Sequence, residues 1–167
     1  MIADLVLAVR LCGAILAYSA SEGEPLPPGR VCAASRAIVA ERGAWDPALL
    51  GALAWAESRL DRRVTNPRSG ACGALQVLRQ RGGCRRLTTS ERASYAAGVA
   101  RLDGARAFCV RRGDRSSLCA LAGFMSGPAG VRGRWYARPR AALRRAEAIR
   151  RLMGGRPGAA SPIGGAA

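Results

Sequence analysis

The stretch AWAESRLDRRVTNPRSGACGALQV, residues 54–77, begins as the end of an apolar helix, passes through a run of turn formers and ends in a short β-like segment. The helix has a strong start. Asp46 is an N-cap acid and Pro47 sits at the first helical position, so the spacing predicts a helix over residues 47–60. On a helical wheel at about 100° per residue, Leu53, Ala56 and Leu60 share the stripe of Leu49, and Leu50 and Glu57 fall together on its flank. Glu57 therefore sits at the rim of the buried face. Its neighbours one turn away are Leu53, Ala54, Leu60 and Asp61, none of them a cation. An apolar site without a fixed cation raises the pKa of a carboxyl, which is how a glutamate keeps its proton and serves as a general acid. The bland alternative is a half-exposed glutamate, or one paired with an arginine from elsewhere in the fold. Glu147 makes a contrast, with Arg144, Arg150 and Arg151 at helical reach; it reads as a surface ion-pair residue.

Outward from this segment the chain reads as a mostly α, α+β domain. "VCAASRAIVAERG" (31–43) predicts a helix ending at Gly43. A short strand or hairpin falls around "GALQVL" (73–78). "TTSE" (88–91) has the pattern of a capping box and opens a helix running to about Arg111. Another helix covers about 117–126 and stops at "SGPAG", and a basic one spans 138–153. Residues 154–167 read as a disordered tail. Residues 1–30 form an N-terminal apolar helix or signal-like segment plus a turn-rich linker. "LVLAVRLCGAILAY" (5–18) has Asp4 before it and Arg10 within it, both foreign to a signal peptide. Leu5, Val9, Cys12 and Leu16 share one face, as in a packed helix.

Composition limits the chemistry. The chain has 167 residues, enough for one domain with a real core. Its 27 basic residues are all arginine, against 11 acidic ones, for a net charge of +16. Such a surface attracts polyanions: nucleic acid, acidic lipid or an anionic wall polymer. With no histidine there is no Ser-His-Asp triad, Cys-His pair or histidine metal ligand. Acid–base work falls to carboxylates, Tyr or Cys. The six cysteines lack C-x-x-C spacing and read as a disulfide framework or as buried thiols. Cys72 with Cys84 and Cys109 with Cys119 close short loops, and Cys12 with Cys32 completes the set. No metal and no cofactor is expected.

The segment 54–77 resembles the catalytic segment of the soluble lytic transglycosylase family, in which an apolar helix ends in Glu-Ser-x-Phe/Leu-Asp and a variable loop leads to Gly-Leu-Met-Gln-Val. Here these read Glu57-Ser58-Arg59-Leu60-Asp61 and Gly73-Ala74-Leu75-Gln76-Val77. "SYAAGVARL" (94–102) and "LAGFMSGPAGV" (121–131) resemble two later family blocks more loosely, so the likeness covers about 46–136, in order. It implies a lysozyme-like fold over 31–153, with the hairpin beside the active-site cleft. It also implies peptidoglycan glycan strands as substrate. Glu57 would be the single catalytic residue, protonating the N-acetylmuramic–N-acetylglucosamine β-1,4 oxygen and then deprotonating the muramic 6-hydroxyl to close a 1,6-anhydro ring. Ser58, Leu75, Gln76, Phe124, Ser126 and Gly127 would line the substrate site. The family has Tyr-Asn where this chain has Phe124-Met125, so either another group such as Tyr95 or Tyr136 supplies the missing hydroxyl or activity is reduced. Asp61 reads as a helix-end structural residue, and Trp45, Trp55 and Trp135 as core, with Trp135 the one of the three best placed to be a sugar platform instead. The basic surface and its C-terminal arginine helix would hold the enzyme on anionic wall polymers. The rivals are a goose-type lysozyme-like hydrolase and a non-catalytic basic binder of glycan or nucleic acid. As an enzyme the protein is expected to be a monomer with no nucleic-acid partner. Its expected place is the periplasm or outside the cell, or release from the cytoplasm as a phage lysin.

Overall fold

The computed structural model describes residues 1–78, 83–132 and 136–154. They form seven helices and one small hairpin: α1 Ile2–Ser21, α2 Pro28–Glu41, α3 Pro47–Ser58, β1 Ala71–Cys72, β2 Val77–Leu78, α4 Arg85–Thr89, α5 Glu91–Val110, α6 Ser117–Arg132 and α7 Ala137–Leu152. The mostly helical reading holds. The predicted tail, from residue 155 on, lies outside the described residues.

α3 is the centre. Residues 48–55 are buried without a break, because the helix is apolar around its whole circumference and so needs neighbours on every side. α7 and α2 supply most of them, with α1 packed against α2, α7 and α3, and α5 pairs with α6. Asp46 caps α3 as expected, its carboxylate accepting from Ala48 N–H at 2.8 Å. The C-terminus is abrupt. Arg59 and Leu60 both adopt left-handed backbone (φ 56° and 57°), and the Leu60 N–H returns to the Ala54 carbonyl at 3.1 Å.

The hairpin is antiparallel, with Ala71 opposite Leu78 and Cys72 opposite Val77. Three disulfides join Cys12–Cys32, Cys72–Cys84 and Cys109–Cys119: the last two are the pairs expected from loop length, and the first is the pair expected to complete the set. No described cysteine is free, so the buried-thiol alternative falls.

Two local expectations need correction and one holds. The α5 N-cap is Ser90, accepting from Ala93 N–H at 3.2 Å, and Thr88 and Thr89 close the separate short α4. The first helical stretch of α6 does stop at "SGPAG", as expected. Gly127 (φ 65°, ψ −167°) kinks it in a region open essentially to glycine alone, and Pro128 starts a further helical stretch. In α1 the core-facing residues are Ala8, Leu11, Ile15, Tyr18 and Ser19, while Leu5 and Val9 lie on the outer surface. The face holding Leu5, Val9 and Leu16 is apolar too, and the wheel cannot choose between two apolar faces.

Candidate functional site: a glutamate at the end of the central helix

Glu57 is the penultimate residue of α3, and its side chain is 14% exposed. The chain around it is held by specific contacts. The Ser58 hydroxyl donates to the Ala74 carbonyl at 2.7 Å, with the Ala54 carbonyl at 3.1 Å as a second acceptor. The Ala74 N–H donates to the Ser94 hydroxyl of α5 at 2.7 Å. One residue of the hairpin turn, Ala74, is thus clamped through both its N–H and its carbonyl, which sets the hairpin against the end of α3. Gln76 adopts φ 47°, and its amide donates to the Val64 and Gly73 carbonyls at 3.1 and 2.9 Å. Among the described residues, the three non-glycine residues with positive φ are Arg59, Leu60 and Gln76. All lie in the two motif blocks. Left-handed backbone at such residues costs of order 1 kcal/mol each and tends to gather where a fold serves a site.

Glu57 is not without a cation. Arg138, from the first turn of α7, donates an Nη2–H to its carboxylate at 3.0 Å. Arg101 of α5 acts on it at longer range, its guanidinium fixed by two hydrogen bonds to the Phe124 carbonyl at 3.1 and 3.0 Å. The expectation of an unpartnered acid is therefore corrected: the partner comes from 81 residues away, beyond the reach of a helical wheel. Burial nonetheless outweighs both arginines. It pushes the Glu57 carboxyl above its ordinary value, while Arg138 and then Arg101 pull it back. Among the described residues Arg138 makes no other side-chain hydrogen bond or ion pair, and it is 66% exposed.

Other candidates fall into two groups. Ser58, Leu75, Gln76 and Phe124 serve as framework: Ser58 and Gln76 spend their donors on backbone carbonyls, and Leu75 and Phe124 are buried. Tyr95 cannot supply the missing hydroxyl. It is fully buried, and its hydroxyl has no partner among the described residues. Burial also pushes its phenol well above the ordinary value. Tyr136 is the α7 N-cap residue, two positions before Arg138 and half-buried. Ser126 and Gly127 sit at the α6 kink, with nothing within 4 Å of the position a Gly127 side chain would take. Asp61 is structural, accepting from the Arg63 N–H and guanidinium and pairing with Arg30. Trp45 is core, donating to Asp103 at 2.8 Å. Trp55 is core as well, lying under Arg59 and Arg145. Trp135 lies outside the described residues.

Sequence reading missed Arg138, Arg101 and Ser94. Arg101 and Ser94 carried a usable signal, since they stand within the helix "SYAAGVARL" that also holds Gly98. Comparison with family models, with curated proteins and with solved structures finds no match for this chain.

Proposed function

We propose that this protein is a peptidoglycan-cleaving lytic transglycosylase with Glu57 as its single acid–base residue. The observation that carries the reading is a mostly buried carboxyl that desolvation pushes above its ordinary pKa, at the end of a central helix braced against a hairpin. Glu57 first gives its proton to the glycosidic oxygen, and the bond to the muramic C1 breaks. The carboxylate left behind then accepts the proton of the muramic 6-hydroxyl as that oxygen bonds to C1, giving the 1,6-anhydro sugar and returning Glu57 to its acid form. Such a cycle needs one carboxyl in hydrogen-bond reach of both oxygens and no cofactor. Arg138 must swing off Glu57 for substrate to enter; an ion pair with one arm so exposed holds with about 1 kcal/mol or less. The three disulfides fit an oxidising compartment, and the substrate class makes that compartment the periplasm or the cell exterior.

The Arg138–Glu57 pair and the +16 charge favour a second reading, a non-catalytic binder of anionic polymer. Purified protein on peptidoglycan sacculi, with mass analysis of released fragments, separates the two. Anhydro-muropeptides are expected from the wild type. Glu57→Gln should slow release by at least about 100-fold while pelleting with sacculi as before. Reducing-end products would make the enzyme a hydrolase. Binding without release by either protein would leave the binding reading.

A further inference from the structure

We propose that the outer face of α1 is a docking surface for an anionic lipid bilayer, on which the protein lies without crossing it. The helix carries two apolar faces. One enters the core through Leu11 and Ile15, both fully buried. The other is left to solvent: Ile2, Leu5 and Val9 are 81%, 59% and 64% exposed. These residues continue through Gly13 to Leu16, and with Val6 they form a stripe about 100° wide that contains no charge. Along it runs an apolar groove of about 330 Å³, floored by the Cys12–Cys32 disulfide and bounded by Arg36 of α2. Arg10 flanks the stripe on α1 itself. Among the described residues, no carboxylate lies within 4 Å of Arg10 or Arg36, although nine other arginines are paired.

Charge selects the occupant. An apolar stripe bordered by unpaired guanidiniums is the pattern of an interfacial helix, where apolar side chains enter the acyl boundary and cations meet anionic headgroups. A second copy would bring another +16 against the first, and like charges oppose that contact. α1 is long and apolar enough to span a bilayer, with mean hydropathy 1.8. Spanning would strip Leu11 and Ile15 from the core and drag the disulfide to Cys32 with them. Lying on the surface keeps both.

The test uses the full-length, disulfide-intact protein in co-sedimentation with vesicles of phosphatidylcholine, with and without one quarter phosphatidylglycerol. Binding is expected only to the phosphatidylglycerol vesicles. Leu5→Ser with Val9→Ser should weaken it about 10-fold or more, and Arg10→Gln with Arg36→Gln by about 10- to 30-fold. Arg111→Gln with Arg115→Gln, an equal loss of charge on the α5–α6 loop, should change it less than about 3-fold. All these positions are exposed, and matching melting curves establish that the variants fold. The proposal is overturned if the Leu5/Val9 variant binds like the wild type, since net charge alone would then suffice. It is also overturned if neither vesicle binds, or if sedimentation velocity shows a dimer that the Leu5/Val9 change dissociates in place of vesicle binding. A mature protein lacking residues 1–20 would overturn it as well. None of these outcomes bears on glycan cleavage by Glu57.

Discussion

At Glu57, burial and two guanidiniums act in opposite senses on one proton. Burial wins and the carboxyl titrates above its ordinary value. Arg138 is the larger of the two opposing charges, so Arg138→Gln should raise the Glu57 pKa further. In a pH–rate profile of sacculus digestion the limb that falls as Glu57 loses its proton should move to higher pH; an unmoved limb would mean that Arg138 is already displaced in the complex. Stability carries a second signature. A carboxyl with a raised folded-state pKa favours folding most below its ordinary value, and that contribution is lost as pH rises through the folded value. Glu57→Gln removes the buried charge, so denaturation midpoints should show the variant gaining on the wild type as pH rises above the ordinary glutamate value.

Helices α3 and α7 are antiparallel neighbours pinned at both ends. Arg150, near the end of α7, bonds to the cap residue Asp46 at the start of α3 through Nε at 3.0 Å and through Nη2. Arg138, at the start of α7, meets Glu57 at the end of α3. Asp46 to Glu57 and Arg138 to Arg150 span about 17 and 18 Å of helix at 1.5 Å per residue, so one register satisfies both pairs. The Glu57 pair thus belongs to helix alignment as well as to the site. A second element contact sets the hairpin. A Cβ added to Gly98 of α5 would overlap the Leu75 side chain, lying 2.8 Å from its Cβ and 3.0 Å from its Cγ and closer still to Cδ1. Gly98→Ala should push α5 off the turn that Ser58 and Ser94 clamp, costing about 1–3 kcal/mol in urea unfolding. Near-normal stability would show that the turn yields.

Across the whole molecule, covalent links and charge act on a core that is rich in small residues and poor in aromatics. The disulfides close loops with sequence separations of 20, 12 and 10. Chain-entropy arguments assign about 3 kcal/mol to each, so Cys12→Ser with Cys32→Ser should lower the unfolding free energy by about that amount and loosen α1 from α2. Proteolysis confined to residues before Cys32 would report the loosening. From the residues alone came what depends on neighbours in the chain: the Asp46–Pro47 start of α3, the hairpin after the turn-rich loop, the two disulfides that close short loops (leaving Cys12 and Cys32 as the third pair), and Glu57 as a lone acid at the end of an apolar helix. Those features are local, and helix caps, turn formers and loop lengths report local free energies. Tertiary structure decided the rest. It chose which apolar face of α1 enters the core and buried Tyr95 beyond the reach of any ligand. It also brought Arg138 to Glu57 across 81 residues. An ion pair between distant helices depends on how those helices pack in space, and no periodicity within either helix encodes that distance.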